Sequence, residues 1–220
     1  YIPLPGGDKV VYEPWRTGVS LLYKIFGEKF LDFDIPINKK IGRQQIENII
    51  KLINSNTNSP LSCSAGRLFD AIAAILGVCT KSSYHAEAPM KLESLISNNS
   101  DNFILPFDIN NYIFSYDEMI VEILDLLKKG YEVDGISRIF HNTVIKIIVE
   151  ITKKISEQEK IYSVALSGGT FQNKFLLRWA VELLKKEGFA VYLNTKVPSN
   201  DGGIALGQLY NAAFIRNFKK

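Results

Sequence analysis

The last third of the chain repeats one pattern twice: a short apolar run, a pair of glycines, and an amphipathic helix. Residues 162–166 predict a strand that ends in Ser167-Gly168-Gly169, and residues 171–186 predict the helix that follows. Residues 190–193 predict a second strand, and Asp201-Gly202-Gly203 opens a final helix to about residue 214. Strands that alternate with helices through tight glycine turns are typical of a parallel sheet covered by helices. The pattern therefore predicts an α/β fold that contains a βαβα unit.

The chain before this unit reads mainly as helices. Apolar residues recur at helical spacing in residues 13–26, 44–53, 64–77, 87–96, 117–129 and 135–155. Residues 98–101 predict a turn. Alternating apolar and polar residues around Asn110-Asn111 predict a hairpin within residues 103–115. We therefore expect a helix-rich first half, followed by the mostly parallel sheet.

Composition excludes several classes of protein. The 220 residues suffice for one large domain or two small ones, and 46% hydrophobic with 22% charged residues is typical of a globular chain. The net charge of +3 is scattered, which argues against a nucleic-acid partner. No apolar run reaches the ~20 residues of a membrane helix. Cys63 and Cys79 form no CxxC pair and favour a cytoplasmic protein with reduced thiols. Because the chain starts at Tyr1, not Met, we expect a fragment of a longer protein.

The first glycine turn is a candidate nucleotide site. Gly168 and Gly169 would let the backbone approach a ligand, and the following helix would present unpaired N–H groups. Asn173 would then lie within reach of a base or a ribose. The alternative is a tight turn in which Asn173 is only a polar residue at the helix start. No GxxxxGK[ST] motif is present, so a P-loop is excluded.

Acidic residues in two other segments are candidates for chemistry. Asp201 follows the second strand, at the sheet edge where ligands of α/β proteins collect, and would bind a metal or a metal–phosphate there. The alternative is that Asp201 caps the last helix. Arg67 and Asp70 lie three residues apart, so they form either a surface ion pair or a ligand contact. His85 and His141 form no zinc-binding pair at recognisable spacing.

An ordered set of motifs resembles the carboxy-terminal part of the HypF carbamoyltransferases of [NiFe]-hydrogenase maturation. The resemblance runs from Tyr1 to Ala213. More broadly, the chain is similar to the threonylcarbamoyl-transfer enzymes of tRNA modification, which share an actin-like ATPase (ASKHA) fold. The motifs, in chain order, are Leu4-Pro5-Gly6-Gly7-Asp8, Glu13-Pro14-Trp15-Arg16, Ser64-Ala65-Gly66-Arg67-Leu68-Phe69-Asp70, Leu166-Ser167-Gly168-Gly169 with Phe171-Gln172-Asn173, and Asn200-Asp201-Gly202-Gly203-Ile204-Ala205-Leu206-Gly207-Gln208.

The resemblance implies an actin-like lobe, with residues 1–60 as an opening segment and helices that pack on a nucleotide-binding lobe of residues 61–220. It implies that the family uses carbamoyl phosphate and ATP to form a carbamoyl adenylate. The carbamoyl group then passes to a carboxy-terminal cysteine of the partner protein HypE, for synthesis of the cyanide ligands.

The resemblance also implies roles for single residues. Gly168, Gly169 and Asn173 would border the adenosine of ATP or carbamoyl adenylate. Asp70 would lie near the ribose or phosphates. Asp201 would be one ligand of a divalent metal, either zinc, iron or magnesium. Asp201 and Asp70 are therefore the predicted catalytic residues.

Two departures from the family pattern matter. The family usually has Tyr-Glu-Gly followed by Gln or Glu, where this chain has Tyr84-His85-Ala86-Glu87. Glu87 is thus a weaker candidate for a nucleotide contact. The family's metal-binding histidines come from an upstream segment, so we expect these 220 residues to be inactive alone. The alternatives are another actin-like ATPase, such as a small-molecule kinase, and a docking module that binds a partner through Trp15.

Overall fold

The computed structural model describes residues 1–96 and 103–218, so the turn predicted at residues 98–101 lies outside the described residues. The chain forms two compact units, Tyr1–Thr143 and Val144–Lys220. The boundary falls inside one long helix. It does not coincide with the predicted ranges 1–60 and 61–220, because helices on both sides of residue 60 pack together in the first unit.

The first unit contains short helices and two small antiparallel pairs of strands. Strand β1 (Ile2–Pro3) pairs with β2 (Leu61–Ser62), and β3 (Asp108–Asn110) pairs with β4 (Ile113–Ser115). The helices are α1 (Lys9–Tyr12), α2 (Pro14–Phe26), a 3-10 helix (Gly27–Asp32), α3 (Pro36–Lys40), α4 (Arg43–Asn54), α5 (Ala65–Ile75), α6 (Glu87–Ser94), α7 (Asp117–Lys128) and the start of α8 (Val133–Glu159).

The core of this unit forms where α2 packs on α5. Leu21 and Leu22 of α2 are fully buried, as are Ile72 and Ile75 of α5. Burying one such side chain contributes roughly 1.5–3 kcal/mol. Trp15 is 4% exposed, so its position on the apolar stripe of α2 reflects core packing. A docking surface built on Trp15 is wrong for this chain.

The second unit contains the predicted βαβα pattern. After the end of α8 come β5 (Ser163–Leu166), a 3-10 helix (Gly169–Gln172), α9 (Lys174–Lys186), β6 (Ala190–Leu193), a 3-10 helix (Asp201–Gly203) and α10 (Ile204–Phe218). Strands β5 and β6 are parallel, with Ser163 opposite Ala190 and Leu166 opposite Leu193. Helix α9 packs on β6 and buries Leu176, Ala180 and Leu184 at helical spacing. The parallel sheet predicted from the glycine turns is confirmed.

Several elements were not predicted. Strands β1 and β2 are two residues long, too short to show alternation. Helix α9 begins at Lys174 and not at residue 171, because the residues after Gly168 first form a 3-10 turn. Within the described residues, none of the helices is both long and apolar enough to cross a membrane.

Two glycines that end helices of the first unit provide a matched test of this packing. Gly77 follows α5 at φ +73°, and Gly130 follows α7 at φ +81°. A Cβ at Gly77 would lie 2.7 Å from Cβ of Pro36, whereas a Cβ at Gly130 would meet nothing within 4 Å.

We expect Gly130→Ala to lower the free energy of unfolding by about 1 kcal/mol, from backbone strain alone. Gly77→Ala should lower it by a further 1–3 kcal/mol or so, because the added methyl group overpacks against Pro36. Urea unfolding of both variants measures the difference. Equal losses would mean that Pro36 does not press on the end of α5.

Candidate functional site

A cleft of about 620 Å³ lies at the carboxyl ends of β5 and β6. Because the two strands are parallel, the loops that follow them meet at the same edge of the sheet. The cleft walls come from the loop after β5, the loop after β6 and the first turns of α10. Its lining residues are Ser167, Gly168, Asn194, Val197, Pro198, Ser199, Asn200, Asp201, Gly203, Ile204, Leu206, Gly207 and Tyr210.

Gly168 joins the two loops that form the cleft. Its N–H donates to the carbonyl oxygen of Ser199 at 2.7 Å. Its backbone has φ +104° and ψ 162°, a conformation that glycine adopts without strain. A Cβ at this position would meet no atom within 4 Å, so the space beside the backbone is open. The sequence correctly placed Gly168 at a point where a ligand can approach the main chain.

Asp201 lines the same cleft and is exposed. The capping role belongs to its neighbour, because Oδ1 of Asn200 accepts a hydrogen bond from the N–H of Gly202 at 3.0 Å. The alternative interpretation of Asp201 as the cap is therefore wrong. Its carboxylate lies at the cleft with no printed hydrogen bond to the turn that it opens, which leaves it available to a ligand.

Asn173 and Gly169 lie on the segment that leads into α9. Oδ1 of Asn173 accepts a hydrogen bond from the N–H of Leu176 at 2.8 Å, so Asn173 is the N-cap of α9. Gly169 starts the 3-10 turn between Gly168 and this cap. Neither residue belongs to the described lining of the cleft. The helix-start role of Asn173 is confirmed, and its contact with adenosine stays a prediction.

Asp70 lies in the first unit, on α5, and is 2% exposed. Its Oδ2 is 2.8 Å from Nη1 of Arg67, which forms an ion pair one turn earlier on the same helix. The prediction of a pair was correct, but the pair is buried and not on the surface. Burial raises the pKa of Asp70 to about 6, and the positive charge of Arg67 opposes that shift.

Glu87 holds the turn before α6. Its Oε2 accepts hydrogen bonds from the N–H of Ser83 at 2.5 Å and from Oγ of Ser83 at 2.8 Å. Its Oε1 pairs with Nζ of Lys91 at 2.6 Å. The bonds from Lys91 and then Ser83 lower the pKa of Glu87 to about 2. Ala86 precedes it in the left-handed region, at φ +64°. The carboxylate of Glu87 is thus engaged in local structure.

The donor set for a metal is incomplete in this chain. Across residues 1–96 and 103–218, no three His, Cys, Asp or Glu side chains come together as a metal site. His141 is fully buried, with Nδ1 2.7 Å from the carbonyl oxygen of Ser137, and burial lowers its pKa to about 4. It is a core histidine. These residues do not fit a complete metal site around Asp201.

The sequence missed the wall that α10 contributes to the cleft. Gly203, Gly207 and Tyr210 all line the cleft. They lie four and three residues apart, on one face of the turn that leads into the helix. That spacing is visible in the sequence, but it is hidden among the apolar residues that surround these three positions.

The pKa of Asp70 predicts a pH dependence of stability. A folded-state pKa raised to about 6, above its ordinary value of 3.8, gives a contribution to stability that is complete below pH 3.8. That contribution is lost as the pH rises through 6. The difference of about two pH units corresponds to roughly 3 kcal/mol.

We expect Asp70→Asn to gain stability relative to the wild-type chain, by a few kcal/mol, as the pH rises from 4 to 7. Asparagine keeps the shape of the side chain but removes the buried charge. Urea unfolding of both proteins across this pH range measures the effect. A pH-independent difference would show that Asp70 titrates at its ordinary pKa.

With the geometry in hand, the chain can be compared with known proteins. A family model described as "Carbamoyltransferase, Kae1-like Domain, second subdomain" matches residues 1–208. The carbamoyltransferase HypF of Rhodobacter capsulatus is 34% identical over 96% of this chain and 27% of its own length. A tRNA N6-adenosine threonylcarbamoyltransferase of Thermosipho melanesiensis is 30% identical over 60% of this chain and 41% of its own length.

A solved structure agrees with these sequence matches. The crystal structure of full-length HypF in the phosphate- and nucleotide-bound form superposes with a TM-score of 0.87 at 34% identity. The superposition covers 94% of this chain and 27% of that one. The chain spans 26–28% of the length of the HypF relatives from Methanocaldococcus jannaschii, R. capsulatus and Synechocystis. Since the family model matches nearly the whole chain, the chain belongs to the carbamoyltransferase family, as the second subdomain of its Kae1-like domain.

Proposed function

We propose that the cleft between the two glycine turns binds the nucleotide part of a carbamoyl adenylate, in a protein that transfers the carbamoyl group. The observation that carries the proposal is the meeting of Gly168 and Asp201 in one cleft at the carboxyl ends of two parallel strands. Ligands of open α/β sheets bind at this edge. Membership of a carbamoyltransferase family supports the choice of reaction.

The walls of the cleft suit the parts of a nucleotide. The open backbone at Gly168 allows close approach of a ribose or a phosphate. Val197, Pro198 and Tyr210 form an apolar side that suits a purine base. In this arrangement the base lies against α10, and the phosphate end points towards Asp201.

The transfer step that we propose breaks the bond between the carbamoyl carbon and the phosphate oxygen. A cysteine thiolate of the partner attacks that carbon and forms a C–S bond, and AMP leaves with the electron pair. Carbamoyl phosphate and ATP would supply the adenylate, and the carboxy-terminal cysteine of HypE would accept the group. The actin-like ATPase fold and these reactants are carried over from the family resemblance.

Asp70 and Asp201 take different parts in this proposal. The Asp70 side chain is 3% exposed and paired with Arg67, whose side chain is 14% exposed. We infer that Asp70 holds Arg67, which would meet phosphate charge. Asp201 would bind the phosphate end with a divalent cation if other parts of the protein supplied the remaining ligands. No step is assigned to that cation, and we expect the 220 residues to be inactive alone.

Glu87 is proposed as a positioning residue and not as a nucleotide contact, because both carboxylate oxygens are occupied by Ser83 and Lys91. Both cysteines of the chain are free, which is consistent with the proposed cytoplasmic location.

We expect Asp201→Ala in the intact protein to reduce carbamoylation of the partner by about 100-fold or more, because the phosphate end loses its stabilising group. Transfer of radiolabel from carbamoyl phosphate to the partner cysteine measures the rate. Asp108→Asn, a change at an exposed aspartate of the hairpin, is the control. A near-normal rate for Asp201→Ala would remove Asp201 from the chemistry. ATP consumption that does not need carbamoyl phosphate would instead favour a small-molecule kinase.

Asn173→Ser separates the two roles of that residue. Serine caps helices about as well as asparagine, so the stability of α9 should be kept. The amide that we propose to contact adenosine is lost, and nucleotide affinity should fall by roughly tenfold, the value of one hydrogen bond. Calorimetric titration of the intact protein with a non-hydrolysable ATP analogue measures this. Unchanged affinity would mean that Asn173 only caps the helix.

A further inference from the structure

Helix α10 is apolar but uncovered. None of the residues 204–216 is buried in the described structure. The large apolar side chains on it include Leu206 at 55% exposure, Leu209 at 69% and Tyr210 at 74%. Ile204 and Ile215 are exposed too. Arg216 is the single charged residue among residues 204–216.

Such a helix is unusual on the surface of a protein. A helix that is hydrophobic on every side is typical of a protein interior. Several adjacent exposed apolar side chains form a patch that mostly marks an interaction site. Isolated exposed leucines need no explanation, but a whole helix without a buried residue does.

The neighbouring sheet is also incomplete. Within the second unit, β5 pairs with β6 in a two-stranded sheet. Parallel sheets are normally covered on both faces and have more strands. Tyr192 on β6 is 62% exposed, and Leu193 is 40% exposed. The sheet and α10 therefore lack cover in the same unit.

We propose that α10 is the docking surface for the first subdomain of the same Kae1-like domain, which presents an apolar face to it. The family description names this chain as a second subdomain, which implies a first. The HypF relatives are nearly four times as long as the matched region, so they have ample chain to supply it. The near absence of charge on residues 204–216 requires an apolar occupant.

The docking would also complete the cleft. Ile204, Leu206 and Tyr210 belong to α10 and line the cleft from one side. A subdomain that covers α10 would therefore close this wall and exclude water from the ligand. This inference concerns packing, and it holds whichever reaction the cleft serves.

Photo-crosslinking in the intact protein tests the proposal. Benzoylphenylalanine replaces Leu209, and the matched control carries it at Leu61, a leucine of the first unit that is 67% exposed. We expect Leu209 to cross-link, in a monomer, to a peptide outside these 220 residues. Cross-links to residues 1–143 of this chain, a cross-linked dimer, or no cross-link would each overturn the proposal.

Hydroxyl-radical labelling of the unmodified intact protein covers the case in which the bulky probe disturbs folding. Leu209 should be labelled roughly fivefold more slowly than Leu61, because residues at the centre of an interface are shielded from water. Similar labelling of the two leucines would show that α10 is uncovered. Neither measurement uses a nucleotide or the transfer assay, so its failure is distinct from failure of the proposed function.

Discussion

The parallel pairing of β5 with β6 is the constraint on which the candidate site depends. Because the strands run in the same direction, their carboxyl ends deliver Gly168 and Asp201 to one edge, although 33 positions separate them in the sequence. The hydrogen bond from the N–H of Gly168 to Ser199 ties the two loops together. An antiparallel pair would place these ends at opposite edges, and the cleft would not form.

The second unit reads as part of a larger assembly of structure. It has a cleft with a polar floor and an apolar wall, but its sheet has two strands and α10 is uncovered. The first unit differs, because α2 and α5 bury a continuous apolar core. Stability and ligand binding therefore place different demands on the two parts of the chain. The core of the first unit can be complete while the cleft of the second still needs a covering surface.

Sequence reasoning succeeded where a local pattern determines the outcome. The strand–glycine–helix repeat predicted β5, β6 and the cleft residues Gly168 and Asp201, since turn chemistry and periodicity are both local. It could not assign the cap to Asn200, because two adjacent polar residues are equally suited to that role. It could not show that the Arg67–Asp70 pair is buried, or that Ser83 and Lys91 occupy Glu87. Those facts depend on how α5 and α6 pack, which one sequence does not contain.

The central claim is that a nucleotide occupies the cleft between Gly168 and α10. A crystal structure of the intact protein with a stable analogue of carbamoyl adenylate tests it most directly. The account predicts the base against Tyr210 and Val197, the ribose or phosphate beside the backbone of Gly168, and the phosphate end within reach of Asp201. A ligand bound elsewhere, with the cleft filled by side chains of another subdomain, would contradict it.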